Sequence, residues 1–181
     1  MKKSRVILTF VICLLPMIIG GLFYQYLPNK IPVHFGIDNN PNLYASRSTF
    51  IFLIPIAMVL LQIFLLSTFF YTSKKAQKLP KLFELMFWII PILSVLMSIM
   101  MVVYAYDKSI NVGRIVCLCV GILLILIGNY STKMDYENGK RYFRPTPKNE
   151  QDFRKKNKIT SYVLIVLGLL FLIIAWFIPF R

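Results

Sequence analysis

The sequence predicts an all-α integral membrane protein, with residues 1–181 forming one membrane domain. It is expected to be a five-helix transmembrane bundle with its N-terminus inside and its C-terminus outside. Three observations carry that expectation. Of 181 residues, 57% are hydrophobic and 15% charged, against about 45–50% and about 25% in soluble domains. The apolar residues fall into five blocks of about twenty, the length a helix needs to cross about 30 Å of hydrocarbon at about 1.5 Å per residue. The basic residues crowd to one side of those blocks. Such a composition excludes an ordinary soluble enzyme and a disordered chain. A disulfide scaffold is excluded too, because all three cysteines lie within apolar blocks.

The blocks cover residues 6–27, 50–71, 82–106, 112–130 and 159–178. Each is expected to be helical, because an unpaired backbone amide in lipid costs several kcal/mol and no period-two alternation suggests a barrel. The first follows Lys2, Lys3 and Arg5 but ends in Phe23, Tyr24, Gln25 and Tyr26 rather than in small residues. It is therefore expected to be a retained anchor, not a cleaved leader. If the helices alternate, the N-terminus, the loop after the second block (Lys74, Lys75, Lys78, Lys81) and residues 131–158 share one side. That side holds sixteen of the 21 basic residues. The positive-inside rule makes it cytoplasmic. The same asymmetry accounts for most of the formal net charge of +14, so no nucleic-acid partner is expected.

Within the blocks no ionisable group stands near the bilayer centre, where a transport pathway would need one. Gln62 is the most costly polar group there and is expected to hydrogen-bond to another helix. Ser94 and Ser98 form a small-xxx-small pair that allows a close approach. Pro16 and Pro91 fall inside helices and free backbone carbonyls. Cys117 and Cys119 are about 200° apart around a helix axis and cannot converge on one ion. No metal and no cofactor are expected.

Two loops carry more information. The outer loop, residues 28–48, begins with Pro28 and Pro32, which stop the first helix. Ile31, Val33 and Phe35 alternate with Pro32 and His34 in the manner of a short extended segment. Gly36, Asp38, Asn39, Asn40 and Pro41 form a dense run of turn residues. A loop of about 21 residues with such punctuation is expected to be ordered. His34, the only histidine, reads as a hydrogen-bonded structural residue, since one carboxylate beside it at Asp38 makes a poor metal site. The inner loop, residues 131–158, holds nine basic and four acidic residues and is expected to attract anionic lipid. Its residues 149–158 fit a short interfacial helix with Phe153 turned toward the acyl chains.

At these loops the sequence resembles the bacterial SdpI-type immunity proteins. The outer-loop pattern of that family is LP-x-x-IP-x-HF-x-x-x-G-x-P-x-x-Y-x-S-K/R. Leu27, Pro28, Ile31, Pro32, His34, Phe35, Pro41, Tyr44, Ser46 and Arg47 fit it, and Asn40 is assigned to the glycine, a residue type that also tolerates a left-handed turn. A second family block begins with Gly128, Asn129 and Tyr130. Arg144, Pro145, Thr146 and Pro147 follow it loosely without the family's tryptophan, and Asn157 and Lys158 replace its closing histidine-arginine.

The resemblance implies a multi-pass protein of the bacterial cell membrane that protects against a secreted antimicrobial peptide or toxin. Its partners would be the lipid bilayer and that peptide. His34, Phe35, Asp38 and Tyr44 are the expected contacts, with Pro28, Pro32, Gly36 and Pro41 shaping the loop. Two alternatives are signalling through a cytoplasmic regulator recruited to the basic loop and, ranked lower, a small peptide transporter. No enzymatic activity is expected.

Overall fold

The computed structural model describes residues 3–36, 38–73, 81–142 and 146–177. In chain order these form α1 (Lys3–Leu22), a 3-10 turn (Tyr24–Tyr26), β1 (Lys30–Phe35), β2 (Pro41–Ser46) and a π-helical turn (Thr49–Leu53). There follow α2 (Ile54–Ser73), α3 (Lys81–Tyr106), α4 (Val112–Ser131), α5 (Tyr136–Tyr142) and α6 (Glu150–Phe177). Five helical stretches are long and apolar enough to cross a membrane: Lys3–Leu22, Thr49–Tyr71, Leu82–Tyr106, Val112–Ser131 and Glu150–Phe177. They match the five expected blocks, and the only sheet among the described residues is the β1–β2 hairpin.

The boundaries differ from expectation in two places. The first helix ends at Leu22 rather than Leu27, and the chain turns through a 3-10 segment before Pro28. The basic stretch of residues 131–158 is helical over Tyr136–Tyr142 and from Glu150 onward. Asp135 caps α5, its carboxylate accepting from Asn138 N at 2.8 Å, and Asn149 caps α6, accepting from Asp152 N at 2.7 Å. Residues 150–158 are the first turns of the last spanning helix rather than a separate interfacial one. Phe153 does not turn to the acyl chains. It is 3% exposed and packs beside Tyr136, its ring filling the space that a side chain at Gly139 would need.

The chain divides into two compact units. One holds residues 1–67 and 86–113 and contains α1, the hairpin and most of α2 and α3. Its core is Leu27, Ile31, Phe50, Ile51 and Met101, so the hairpin is seated on helical side chains. Prolines and polar groups knit its helices together. Pro91 has no N–H to give the carbonyl four residues back, that of Phe87, and Gln62 Nε2 donates to that carbonyl at 3.2 Å. Ser94 Oγ donates to Cys13 O at 3.2 Å, so α1 meets α3 at Ser94, whereas Ser98 lines a cleft between them. Pro55, fully buried, follows the π-helical turn, whose wider winding suits a residue without an N–H.

The other unit holds residues 68–85 and 114–179. Here α4 and α6 touch backbone to backbone. A Cβ on Gly168 would stand 2.7 Å from Gly121 O, and one on Gly128 2.8 Å from Ser161 O. Small residues permit this approach, which dispersion then rewards. Ser131 and Asn157 close the seam reciprocally: Ser131 Oγ donates to Asn157 Oδ1 at 2.8 Å and Asn157 Nδ2 to Ser131 O at 2.7 Å.

Candidate functional site

The segment from Leu27 to Ser48 rises from the end of α1 as a twisted hairpin. Its strands are antiparallel, with Lys30 opposite Ser46, Ile31 opposite Ala45 and Pro32 opposite Tyr44. The register then shifts around His34, which faces Leu43. Such bulges re-aim side chains at the end of a ladder.

Two clasps fix the hairpin. At its base Arg47 Nη2 donates to Asn29 Oδ1 at 2.6 Å and Nε to Pro28 O at 3.4 Å, while the backbone N–H of Arg47 reaches Asn29 O at 3.1 Å. The guanidinium also lies 5.0 Å from the centre of the Tyr24 ring, a cation–π contact. At its tip Asn39 is 7% exposed and adopts φ 62°. It donates from Nδ2 to Ile110 O at 3.3 Å and accepts at Oδ1 from Gly113 N at 3.1 Å. Gly113 lies in the first turn of α4, whose N–H groups have no partners within the helix. The tip of the hairpin therefore caps a helix that begins more than seventy residues later. The left-handed residue is thus Asn39, not Asn40. Counting from Phe35 to Pro41 also puts the family's glycine at residue 39.

Between the clasps the expected contact residues are set out unequally. His34 is exposed, and its Nδ1 donates to Asn42 Oδ1 at 2.6 Å. That bond to an amide rather than to Asp38 gives it the structural role read from the sequence. Tyr44 is 51% exposed and Leu43 beside it 57%. Asp38 is exposed and accepts from Asn40 N at 3.2 Å and Asn40 Nδ2 at 2.6 Å. Phe35 is half-buried and holds the hairpin to α3 through an edge contact with Tyr104, ring centres 4.8 Å apart. Pro32 is buried, Pro28 and Pro41 half-buried. A Cβ at Gly36 would crowd only the carboxylate tip of exposed Asp38, at 2.6 Å, which can move aside. Nearby, the hydrogen bonds of Ser109 hold the Asp107 carboxyl below the ordinary carboxylate range.

Beneath the hairpin α1 and α3 leave an apolar cleft of about 250 Å³, lined by Pro16, Ile19, Phe23, Leu27, Phe50 and Val102 among others. Leu27 and Phe50 belong also to the core on which Ile31 sits, so cleft and hairpin share a wall. Sequence reasoning named Asn39 as a turn residue and Arg47 as a family match but foresaw neither clasp nor the cleft. A polar residue between Asp38 and Pro41 in a turn was the available signal for Asn39.

The second family block has structural roles. Gly128 is the close-approach residue of the α4–α6 seam. Asn129 O accepts from Thr132 Oγ1 at 2.7 Å, and the Tyr130 ring lies 4.8 Å from Lys133 Nζ. Arg144 lies outside the described residues, as do Lys74, Lys75 and Lys78. Among the described residues no group of histidine, cysteine, aspartate and glutamate is placed to hold a metal.

A family model described as a domain of unknown function, DUF1648, matches residues 11–59, from mid-α1 through the hairpin into α2. The protein named Immunity protein SdpI from Bacillus subtilis (strain 168) is 30% identical over 179 residues, covering 98% of this chain and 83% of that relative. No solved structure matches the chain.

Proposed function

We infer that this chain, which belongs to the SdpI-type family of membrane immunity proteins and is a multi-pass protein of the bacterial cell membrane, confers immunity by intercepting an amphipathic peptide toxin at its outer face. The observation that carries this reading is a rigid hairpin, clasped at base and tip, standing over an apolar cleft. Fixed loops bind with less entropy lost than mobile ones. His34, Asp38 and Tyr44 supply polar and aromatic contacts on the exposed side, with Phe35 as the anchor below them. The cleft suits the apolar side chains of the same peptide. The charge bias supports an outward-facing hairpin, because most basic residues fall on the opposite side of the alternating helices.

The test uses a sensitive host challenged with the peptide fraction secreted by the bacterium that carries this chain. The intact protein is expected to restore growth. Joint replacement His34→Ala and Tyr44→Ala, at equal membrane abundance, is expected to lose most of that protection. Full protection by the double variant would remove the hairpin from the mechanism.

A further inference from the structure

A cavity of about 390 Å³ lies in the second unit where α4 ends and α6 begins. That volume falls in the range of about 300–1,000 Å³ typical of ligand clefts. Its floor is Phe153 and Asn157, both buried; its rim is Thr132, Arg154, Lys158 and Tyr162, all exposed. Most of the polar capacity here is spent. The Asn157 amide is committed to Ser131 at both ends, and the Thr132 hydroxyl donates to Asn129 O. Two cations remain. Arg154 uses Nε and Nη2 on the single oxygen Glu150 Oε1. Lys158 stands 5.7 Å from the Tyr162 ring centre and meets no carboxylate among the described residues.

Arg154, Lys158 and Tyr162 recur every four residues and so share one ridge of α6. The ridge continues as Val166 and Leu170, which are 54% and 47% exposed. Along it the order is cation, cation, phenol, hydrocarbon. From Lys158 to Leu170 the helix rises about 18 Å, close to the hydrocarbon depth of one leaflet, about 15 Å. We propose that this cavity and ridge bind one phospholipid with an anionic headgroup, its phosphodiester between Arg154 and Lys158 and an acyl chain along Val166 and Leu170. A zwitterionic lipid fits less well, because its terminal ammonium would face the same two cations. The site does not depend on the immunity reading.

The experiment is native mass spectrometry of the full chain released from nanodiscs of equal parts phosphatidylglycerol and phosphatidylcholine. One phosphatidylglycerol is expected to stay bound where phosphatidylcholine is lost. Basic residues near a membrane surface contribute about fivefold each, so joint Lys158→Gln and Arg154→Gln replacement should lower retention by about 30-fold. Lys158→Arg, which keeps the charge, should retain the lipid, and Lys155→Gln, outside the cavity, should match the parent. The proposal is overturned by equal retention of both lipids, by an unaffected double variant, or by an equal loss with Lys155→Gln, which would mean diffuse attraction. Displacement by glycerol phosphate at the lipid's own concentration would also overturn it, marking a site for a soluble phosphate.

Discussion

Replacing Gln62 by Leu has an effect whose sign depends on residue 91. Gln62 is fully buried, donates to Phe87 O at 3.2 Å, and its own Oε1 meets no partner among the described residues. In the parent, Gln62→Leu removes the donor that stands in at the Phe87 carbonyl for the N–H that Pro91 lacks. It also removes the unpartnered Oε1. A buried orphan costs about 1–3 kcal/mol, so the two changes nearly offset and the single substitution is mildly destabilising. In a Pro91→Ala background the new N–H at residue 91 serves Phe87 O. Gln62 then contributes only its unpaired oxygen, and Gln62→Leu becomes stabilising. The lost packing of the proline ring is common to both arms and cancels. Interhelical hydrogen bonds in membranes average about 0.6 and reach about 1.7 kcal/mol, which is the coupling expected. Reversible unfolding of all four forms in bicelles, followed by steric trapping, measures it. A coupling inside the scatter of about 0.3–0.5 kcal/mol seen for independent sites would refute the pairing of Gln62 with the proline-freed carbonyl.

Other outcomes follow from the hairpin tip and the glycine seam. Asn39→Gly keeps the left-handed backbone but loses two hydrogen bonds of about 1 kcal/mol each, so amide exchange at Gly36 and Asn40 should quicken about 30-fold. Asn39→Ala adds the strain of a Cβ at positive φ, about 1 kcal/mol more; equal rates for the two variants would show that the backbone conformation at residue 39 does not matter. Gly168→Ala forces a Cβ to within 2.7 Å of Gly121 O and should cost about 1–3 kcal/mol in unfolding measurements. Gly21→Ala, with nothing within 4 Å, should change stability by less than about 0.5 kcal/mol, and a similar loss at both positions would deny that the seam is tight.

The five spans are legible because lipid demands an unbroken apolar run from every helix, and a run is a local property. β1 is legible for a similar reason, since Ile31 and Val33 alternate with Pro32 and His34. β2 is not: Leu43 and Tyr44 are both exposed, and the strand exists through pairing with β1 rather than through its own pattern. Gln62 and Pro91 each stand out alone, and the carbonyl four residues before the proline can be counted, but their meeting is a tertiary fact. The helical start of α6 was written in the sequence. Glu150 and Arg154, and Asp152 and Lys156, are opposite charges four apart, and both pairs form. Their density of charge argues for a loop while their spacing argues for a helix. In the hairpin His34 and Tyr44 are legible as candidates, whereas the role of Asn39 is hidden because its partners lie 71 and 74 positions away.

That separation orders events at the ribosome. Residue 39 is synthesised 74 residues before the amide it must receive, an interval of about 4–15 s at about 5–20 residues per second. For those seconds the asparagine of the nascent turn waits without that partner, and synthesis of the fourth span supplies it. Completion of the hairpin tip is thereby tied to synthesis of the chain beyond its midpoint, and a polypeptide truncated before Gly113 would carry an unfinished turn.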